Sequence, residues 1–172
     1  MGYAGGIEKN PNYNHIGGHT ETVQVDYDPE RITYGKLLDI FWNSHRPVRQ
    51  SGSRQYMNVI FYHNEEQRRQ AMASKAELEE KIGRIIKTEV RPLGTFTLAE
   101  DYHQKYILKQ HPLKKEMTRI YPFHPDFVNS TAVTRLNGYA GGYGDSEQLS
   151  REIEILGLSD EGKKILTGIV RR

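Results

Sequence analysis

The 172 residues contain no cysteine, which excludes disulfides, thiolate metal sites and any nucleophilic thiol supplied by this stretch of chain. Long apolar runs are also missing. No segment approaches the roughly 20 residues that cross a bilayer, mean hydropathy is −0.74, and the opening residues lack the charged and apolar regions of a signal peptide. A protein with no membrane association, resident in the cytoplasm, is the expectation. An excess of one charge is absent too: 24 basic and 22 acidic residues leave +2. No Lys/Arg block interleaved with aromatics offers nucleic acid a footprint. Tryptophan occurs once, whereas 11 tyrosines and 5 phenylalanines supply apolar area that simple hydropathy undercounts. The length suits one domain with a helical appendage.

Residues 2–20 are rich in Gly, Asn, Pro and Tyr, the composition of a site loop that needs positive φ and tight turns. From Glu21 the chain alternates, with Val23, Val25 and Tyr27 on one face, so a half-buried strand is predicted up to Asp28-Pro29. Tyr34, Leu37, Leu38, Phe41 and His45 share a helical stripe that Pro47 terminates. Tyr56 to Tyr62 reads as a buried strand. Asn64 with Gln67 resembles a reciprocal cap on a long surface helix from Glu65 to about Ile82. A third strand is predicted from Ile85 to Leu93. Thr97-Leu98-Ala99-Glu100 reads as a capping box opening a helix to about Lys109. This order predicts an α/β or α+β sheet covered by helices. Beyond Pro112 a helical tail is expected from the shared faces of Val128, Ala132, Val133 and Leu136, then Leu149, Ile153 and Leu156, then Ile165, Leu166 and Ile169. Gly138 and Gly157 stand where helix C-caps belong. Gly138-Tyr139-Ala140-Gly141-Gly142, an echo of the pentapeptide at Gly2, reads as a loop.

Glu21 follows His19 at a loop-to-strand junction with Tyr3, Tyr13 and Tyr56 expected nearby. Two readings stand. A carboxyl enclosed by aromatics is desolvated, which raises its pKa and lets it donate a proton near neutral pH; alternatively Glu21 is an exposed strand residue and the tyrosines are partly buried core. His19, His45, His63, His103 and His111 lack a helical partner at metal-binding spacing, so no metal or cofactor is expected. Asp101 and His103 lie where a helix's first turn is predicted, a place that favours an acid in any case.

Eight segments in order, namely Gly2-Tyr3-Ala4-Gly5-Gly6, Asn10-Pro11-Asn12-Tyr13, Gly18-His19-Thr20-Glu21, Val25-Asp26-Tyr27-Asp28-Pro29, Phe41-Trp42 with His45, Arg54-Gln55-Tyr56, Phe61-Tyr62-His63 and Ala99-Glu100-Asp101-Tyr102-His103-Gln104, resemble the methionine sulfoxide reductase A family over residues 2 to about 110. The resemblance implies an α+β two-layer, ferredoxin-like reductase domain over 1–111, with 112–172 a helical extension packed on it. It implies Glu21 as the acid, Tyr13 and Tyr56 as hydrogen-bond partners of the sulfoxide oxygen, and His19, Asp101 and His103 as possible support. The implied activity is reduction of methionine S-sulfoxide, in proteins or free, with thioredoxin or a small thiol as reductant. In that family a Gly-Cys-Phe-Trp-Gly motif supplies the thiolate and precedes the glycine-rich segment by a strand, a helix and part of another strand. The chain is therefore expected to be an N-terminally shortened member, inactive by itself. Short loops between Tyr13 and Gly18 and before Gln55, Arg46 in place of a common His-Asp-Pro, and the segment Asp126-Phe127-Val128-Asn129-Ser130-Thr131 resemble a subgroup. The tail lacks the resolving cysteines of many members.

Overall fold

The computed structural model describes residues 1–170. Its contacts divide into two compact units, Met1–Ala99 and Glu100 onward, so the division falls ahead of the expected boundary after residue 111. Each unit has its own apolar core.

In the first unit, β1 (Gly2–Ala4) lies between β2 (Thr20–Thr22) and β5 (Phe96–Leu98), antiparallel to both. The glycine-rich opening is thus a central strand at its start, not loop throughout, and Tyr3 and Ala4 are buried. Gly2 is needed there because a Cβ would lie 2.3 Å from the Phe96 ring and 2.5 Å from the Thr97 carbonyl oxygen. Both flanking strands are paired over three positions. Among the described residues the alternating segment beyond Thr22 joins no ladder, and Val23 and Val25 are 65% and 56% exposed, so the predicted strand stops at Thr22 instead of running to Tyr27. Thr97 sits in β5 opposite Tyr3; the expected helix from Thr97 gives way to that strand, a single turn at Asp101–His103 and the short helix α3 (Tyr106–Lys109). Pairing with the central strand overrides a local capping signal.

Helix α1 (Tyr34–Asn43) begins where Thr33 Oγ1 accepts from the Lys36 N–H at 3.2 Å, and it buries Leu38 and Trp42. A turn at Arg54–Tyr56 takes the place of the expected strand start, and β3 (Val59–Tyr62) follows. Helix α2 (Glu65–Ile82) has the predicted caps. Asn64 Oδ1 accepts from Gln67 N–H at 2.9 Å, and Gln67 Oε1 accepts from His63 N–H at 2.9 Å. Gly83, at φ +64, ends the helix in the left-handed conformation. The chain returns as β4 (Glu89–Pro92), parallel to β3, which makes β3–α2–β4 a crossover unit. Leu38, Trp42, Ile60, Ala71 and Ile86 form its core.

The second unit is helical: α3 is followed by α4 (Lys114–Ile120), α5 (His124–Asn129), α6 (Thr131–Ala140), α7 (Ser146–Glu152) and α8 (Asp160–Val170). Val133, Leu136, Leu149, Leu156 and Leu166 are buried together with Leu108, Met117 and Phe127, as the stripes predict. Gly138 lies inside α6 rather than at its end, and the helix is closed by Gly141 and the positive-φ Gly142. The echo pentapeptide is therefore mostly helix. Glu152 is buried among the apolar residues but partnered by the Tyr139 hydroxyl, Arg135 and Gln148 Nε2. The architecture is a mixed α/β fold with a helical C-terminal part.

Candidate functional site

Residues 5–19 form the loop between β1 and β2, and local hydrogen bonds fix its shape. Asn12 Oδ1 accepts from the N–H groups of Asn14 and His15, both at 3.0 Å, and Asn12 and His15 exchange backbone bonds. This Asx turn puts Tyr13 at its tip. Gly5, Gly17 and Gly18 take φ of +80, +55 and +76, which other residues resist. His19 is 2% exposed, and its Nε2–H donates to the Glu8 carbonyl at 2.9 Å. Nδ1 is thereby an acceptor, with no hydrogen-bond partner among the described residues. His19 holds the loop from inside.

Arg54, at the turn before β3, closes the loop from the other side. Its Nε–H donates to the Gly18 carbonyl at 2.8 Å and its Nη2 to that of Gly5 at 3.3 Å, while Thr20 Oγ1 donates to the Arg54 carbonyl at 3.0 Å. The turn is thereby fastened to β2. Gln55 then donates from Nε2 to Glu21 Oε1 at 2.7 Å, and Tyr56 follows. Glu21 sits at the middle of β2, opposite Tyr3, and is half-buried.

Three of the predicted site residues thus come together. The Tyr56 phenol is held above the ordinary tyrosine range by its hydrogen bond with Tyr13, then by partial desolvation and by the negative charge of ionised Tyr13 and of Glu21. All of these keep it protonated, as a donor. Neither of the two readings left open for Glu21 describes it alone: it is half-buried, the Tyr3 opposite it is buried, and Tyr13 and Tyr56 are 42% and 53% exposed. Arg54 and Gln55 were not singled out from sequence, although their adjacency to Tyr56 in the Arg54-Gln55-Tyr56 motif was the available signal.

Asp101 and His103 belong to the second unit. Asp101 pairs with His124 Nε2 at 3.1 Å, and His103 Nε2 lies 3.7 Å from Glu100, its ring 4.2 Å from that of Tyr102. His45 is a structural link, donating through Nδ1 to the Phe41 carbonyl at 2.8 Å and meeting Thr88 Oγ1 at 3.0 Å through Nε2. No group of three His, Asp or Glu side chains suited to a metal occurs among the described residues.

The family profile of peptide methionine sulfoxide reductase matches residues 1–136. A peptide methionine sulfoxide reductase of Drosophila melanogaster is 42% identical over 166 residues, 92% of this chain and 65% of that protein. Peptide methionine sulfoxide reductase A5 of Arabidopsis thaliana is 44% identical over 146 residues, 81% of this chain and 57% of that one. The chain spans less than two thirds of the length of either relative. Among solved structures, reduced Mxr1 of Saccharomyces cerevisiae superposes with a TM-score of 0.59 at 30% identity, covering 64% of this chain and 69% of its own. Methionine sulfoxide reductase A of Corynebacterium diphtheriae gives 0.53 at 32%, covering 65% and 62%. With the glycine loop, the phenol pair and the anchored Glu21 in one unit, and with the match running through both units, the chain belongs to the peptide methionine sulfoxide reductase family.

Proposed function

We propose that this chain carries the oxygen-binding and proton-donating half of a peptide-methionine (S)-S-oxide reductase site. The observation that supports it is the anchoring of Glu21 by Gln55 Nε2 at 2.7 Å on the turn that Arg54 fastens to the glycine loop, which sets Tyr56 next to that acid, its phenol held protonated by Tyr13. A sulfoxide oxygen accepts hydrogen bonds and donates none, so it can replace Tyr13 as the acceptor of the Tyr56 proton, with Glu21 as the acid beside it. In the proposed reaction a thiolate attacks the sulfoxide sulfur, the sulfur–oxygen bond breaks with protonation of the oxygen, and that oxygen ends on the attacking sulfur as a sulfenic acid. Methionine sulfur gains the two electrons that the thiolate sulfur loses. A second thiol then displaces water to give a disulfide, which thioredoxin or a small thiol reduces. Glu21 delivers the proton, and Gln55 orients it. The thiolate comes from outside these 172 residues, which hold no cysteine.

The exposure of both phenols supports a substrate presented on a protein surface as well as free methionine sulfoxide. The cycle consumes thiols, which supports a cytoplasmic setting, where thiols are kept reduced. For this chain acting alone, the lack of cysteine favours recognition of oxidised methionine without turnover.

Titration calorimetry with peptides containing methionine S-sulfoxide, R-sulfoxide or unoxidised methionine tests the assignment. The S-sulfoxide peptide is expected to bind best, with Tyr56→Phe weakening it about fivefold, the worth of one hydrogen bond. Equal affinity for all three peptides would reject the site. With dithiothreitol as reductant the 172-residue chain is expected to give no turnover, because no covalent sulfenic intermediate can form on it.

A further inference from the structure

Beyond the C-terminal ends of α1 and α2 the first unit contains a cleft of about 680 Å3, within the range of about 300–1,000 Å3 common for ligand sites. Trp42 and Leu78 provide an apolar floor. Trp42 is 7% exposed and is fixed by Nε1–H donating to Ser74 Oγ at 3.0 Å. Around this floor stand Arg46, Arg49, Lys81 and Arg84. All four are exposed, and among the described residues none makes an ion pair. Of the two carboxylates that also line the cleft, Asp39 already lies 4.0 Å from Lys36 Nζ. Glu77 is the other.

Attraction to helix-end carbonyls accounts for a cation such as Lys81 in the last turn of α2. It does not account for Arg46 and Arg49. These two bracket a turn closed by the Arg49 N–H donating to the Arg46 carbonyl at 3.0 Å. The turn is held on both sides: the Lys87 N–H donates to the Pro47 carbonyl at 2.8 Å, and Asn58 Nδ2 to the Arg49 carbonyl at 3.0 Å. The backbone that presents the two arginines is therefore organised in advance, which lowers the entropic cost of binding.

We propose that this cleft docks an acidic peptide segment of a partner protein, with an apolar side chain seated on Trp42 and Leu78 and flanking carboxylates paired to the four cations. Arginine favours carboxylates through paired parallel hydrogen bonds. A site for single-stranded nucleic acid would combine a basic track with several aromatic faces for successive bases, whereas among the described residues Trp42 lines this cleft with no Tyr or Phe beside it. The inference does not depend on the role of Glu21, Tyr13 and Tyr56.

Trp42 is the only tryptophan, so its emission reports occupancy directly. The 172-residue chain is titrated at low salt with the end-blocked peptide Glu-Asp-Phe-Glu-Asp, and in parallel with Glu-Asp-Gly-Glu-Asp, Lys-Lys-Phe-Lys-Lys, inorganic phosphate and an oligothymidylate. A saturable change is expected with the first peptide, about fivefold weaker with the glycine peptide because the apolar anchor is gone. The Arg46→Glu/Arg49→Glu double variant, checked for folding by far-UV circular dichroism, is expected to bind about tenfold more weakly, with two attractive pairs turned repulsive. Lys81→Glu, on the exposed end of α2, gives the same reading if the double variant does not fold. No saturable change with the first peptide, equal binding of the glycine peptide, indifference to charge reversal, or tighter binding of phosphate or oligothymidylate would each overturn the proposal.

Discussion

Replacing Glu152 tests how the second unit tolerates a carboxylate in its core. Glu152 is 5% exposed, Tyr139 2%, and the carboxylate is met by the Tyr139 hydroxyl, the Arg135 guanidinium and Gln148 Nε2 at 3.3 Å. In Glu152→Ala the Tyr139 hydroxyl loses its acceptor in a place water does not reach, a cost of about 1–3 kcal/mol. Arg135 loses its counter-ion, and removal of one member of a fully buried pair costs about 3–5 kcal/mol. Its side chain is 28% exposed, so water recovers part of that penalty, and the combined expectation is about 2–4 kcal/mol. Glu152→Gln keeps an oxygen for Tyr139 and loses only the charge facing Arg135, so about 1–2 kcal/mol is expected. Urea denaturation followed by far-UV circular dichroism measures both. Trp42 emission reports the first unit in the same samples and shows whether the transitions coincide. Alanine within about 0.5 kcal/mol of the parent protein, the range of ordinary surface changes, would refute the reasoning. So would glutamine costing as much as alanine. Exchange of Arg135 and Glu152 together for apolar residues of similar volume is expected to be milder than Glu152→Ala, because no charge is stranded and the unpaired Tyr139 hydroxyl is the cost that remains.

At the candidate site, Tyr13→Phe removes the largest cause of the raised Tyr56 pKa, so ultraviolet titration of the phenols should show Tyr56 ionising closer to the usual value near 10. A raised pKa preserves the donor to higher pH. S-sulfoxide binding by the parent chain should therefore persist further into alkaline solution than binding by the variant, and identical alkaline limits would count against the phenol pair. In the loop, Gly5→Ala would place a methyl 2.6 Å from the Phe61 ring at φ +80, and a loss of about 1–3 kcal/mol in denaturation is expected from crowding and backbone strain. A neutral result would show that the Arg54-clamped loop shifts freely.

Much of the fold was legible where its causes are local. The N-terminal cap of α2, the stripe of α1 and the apolar faces of the C-terminal helices lie within a few residues of the groups they organise. That Glu21, Tyr13 and Tyr56 lie near one another was legible through the ordered motifs rather than through spacing alone. Less legible was how the trio is held. Arg54 reaches the Gly18 and Gly5 carbonyls, and Gln55 reaches Glu21, across separations of 34 to 49 residues, which no local pattern encodes.

The sequence by itself determined the chemistry available: tyrosines, an acid and a loop histidine, no cysteine, and helix-forming segments with their own stops. Tertiary structure decided which extended segments became strands. Gly2–Ala4 is a central strand because Thr20–Thr22 and Phe96–Leu98 pair on its two edges, and Val23–Tyr27 is not a strand because its alternation meets no partner. A strand's hydrogen bonds are made with distant residues, whereas a helix makes its own. The same distinction applies to the site: the residue types are written locally, and their convergence depends on backbone pairing between remote segments.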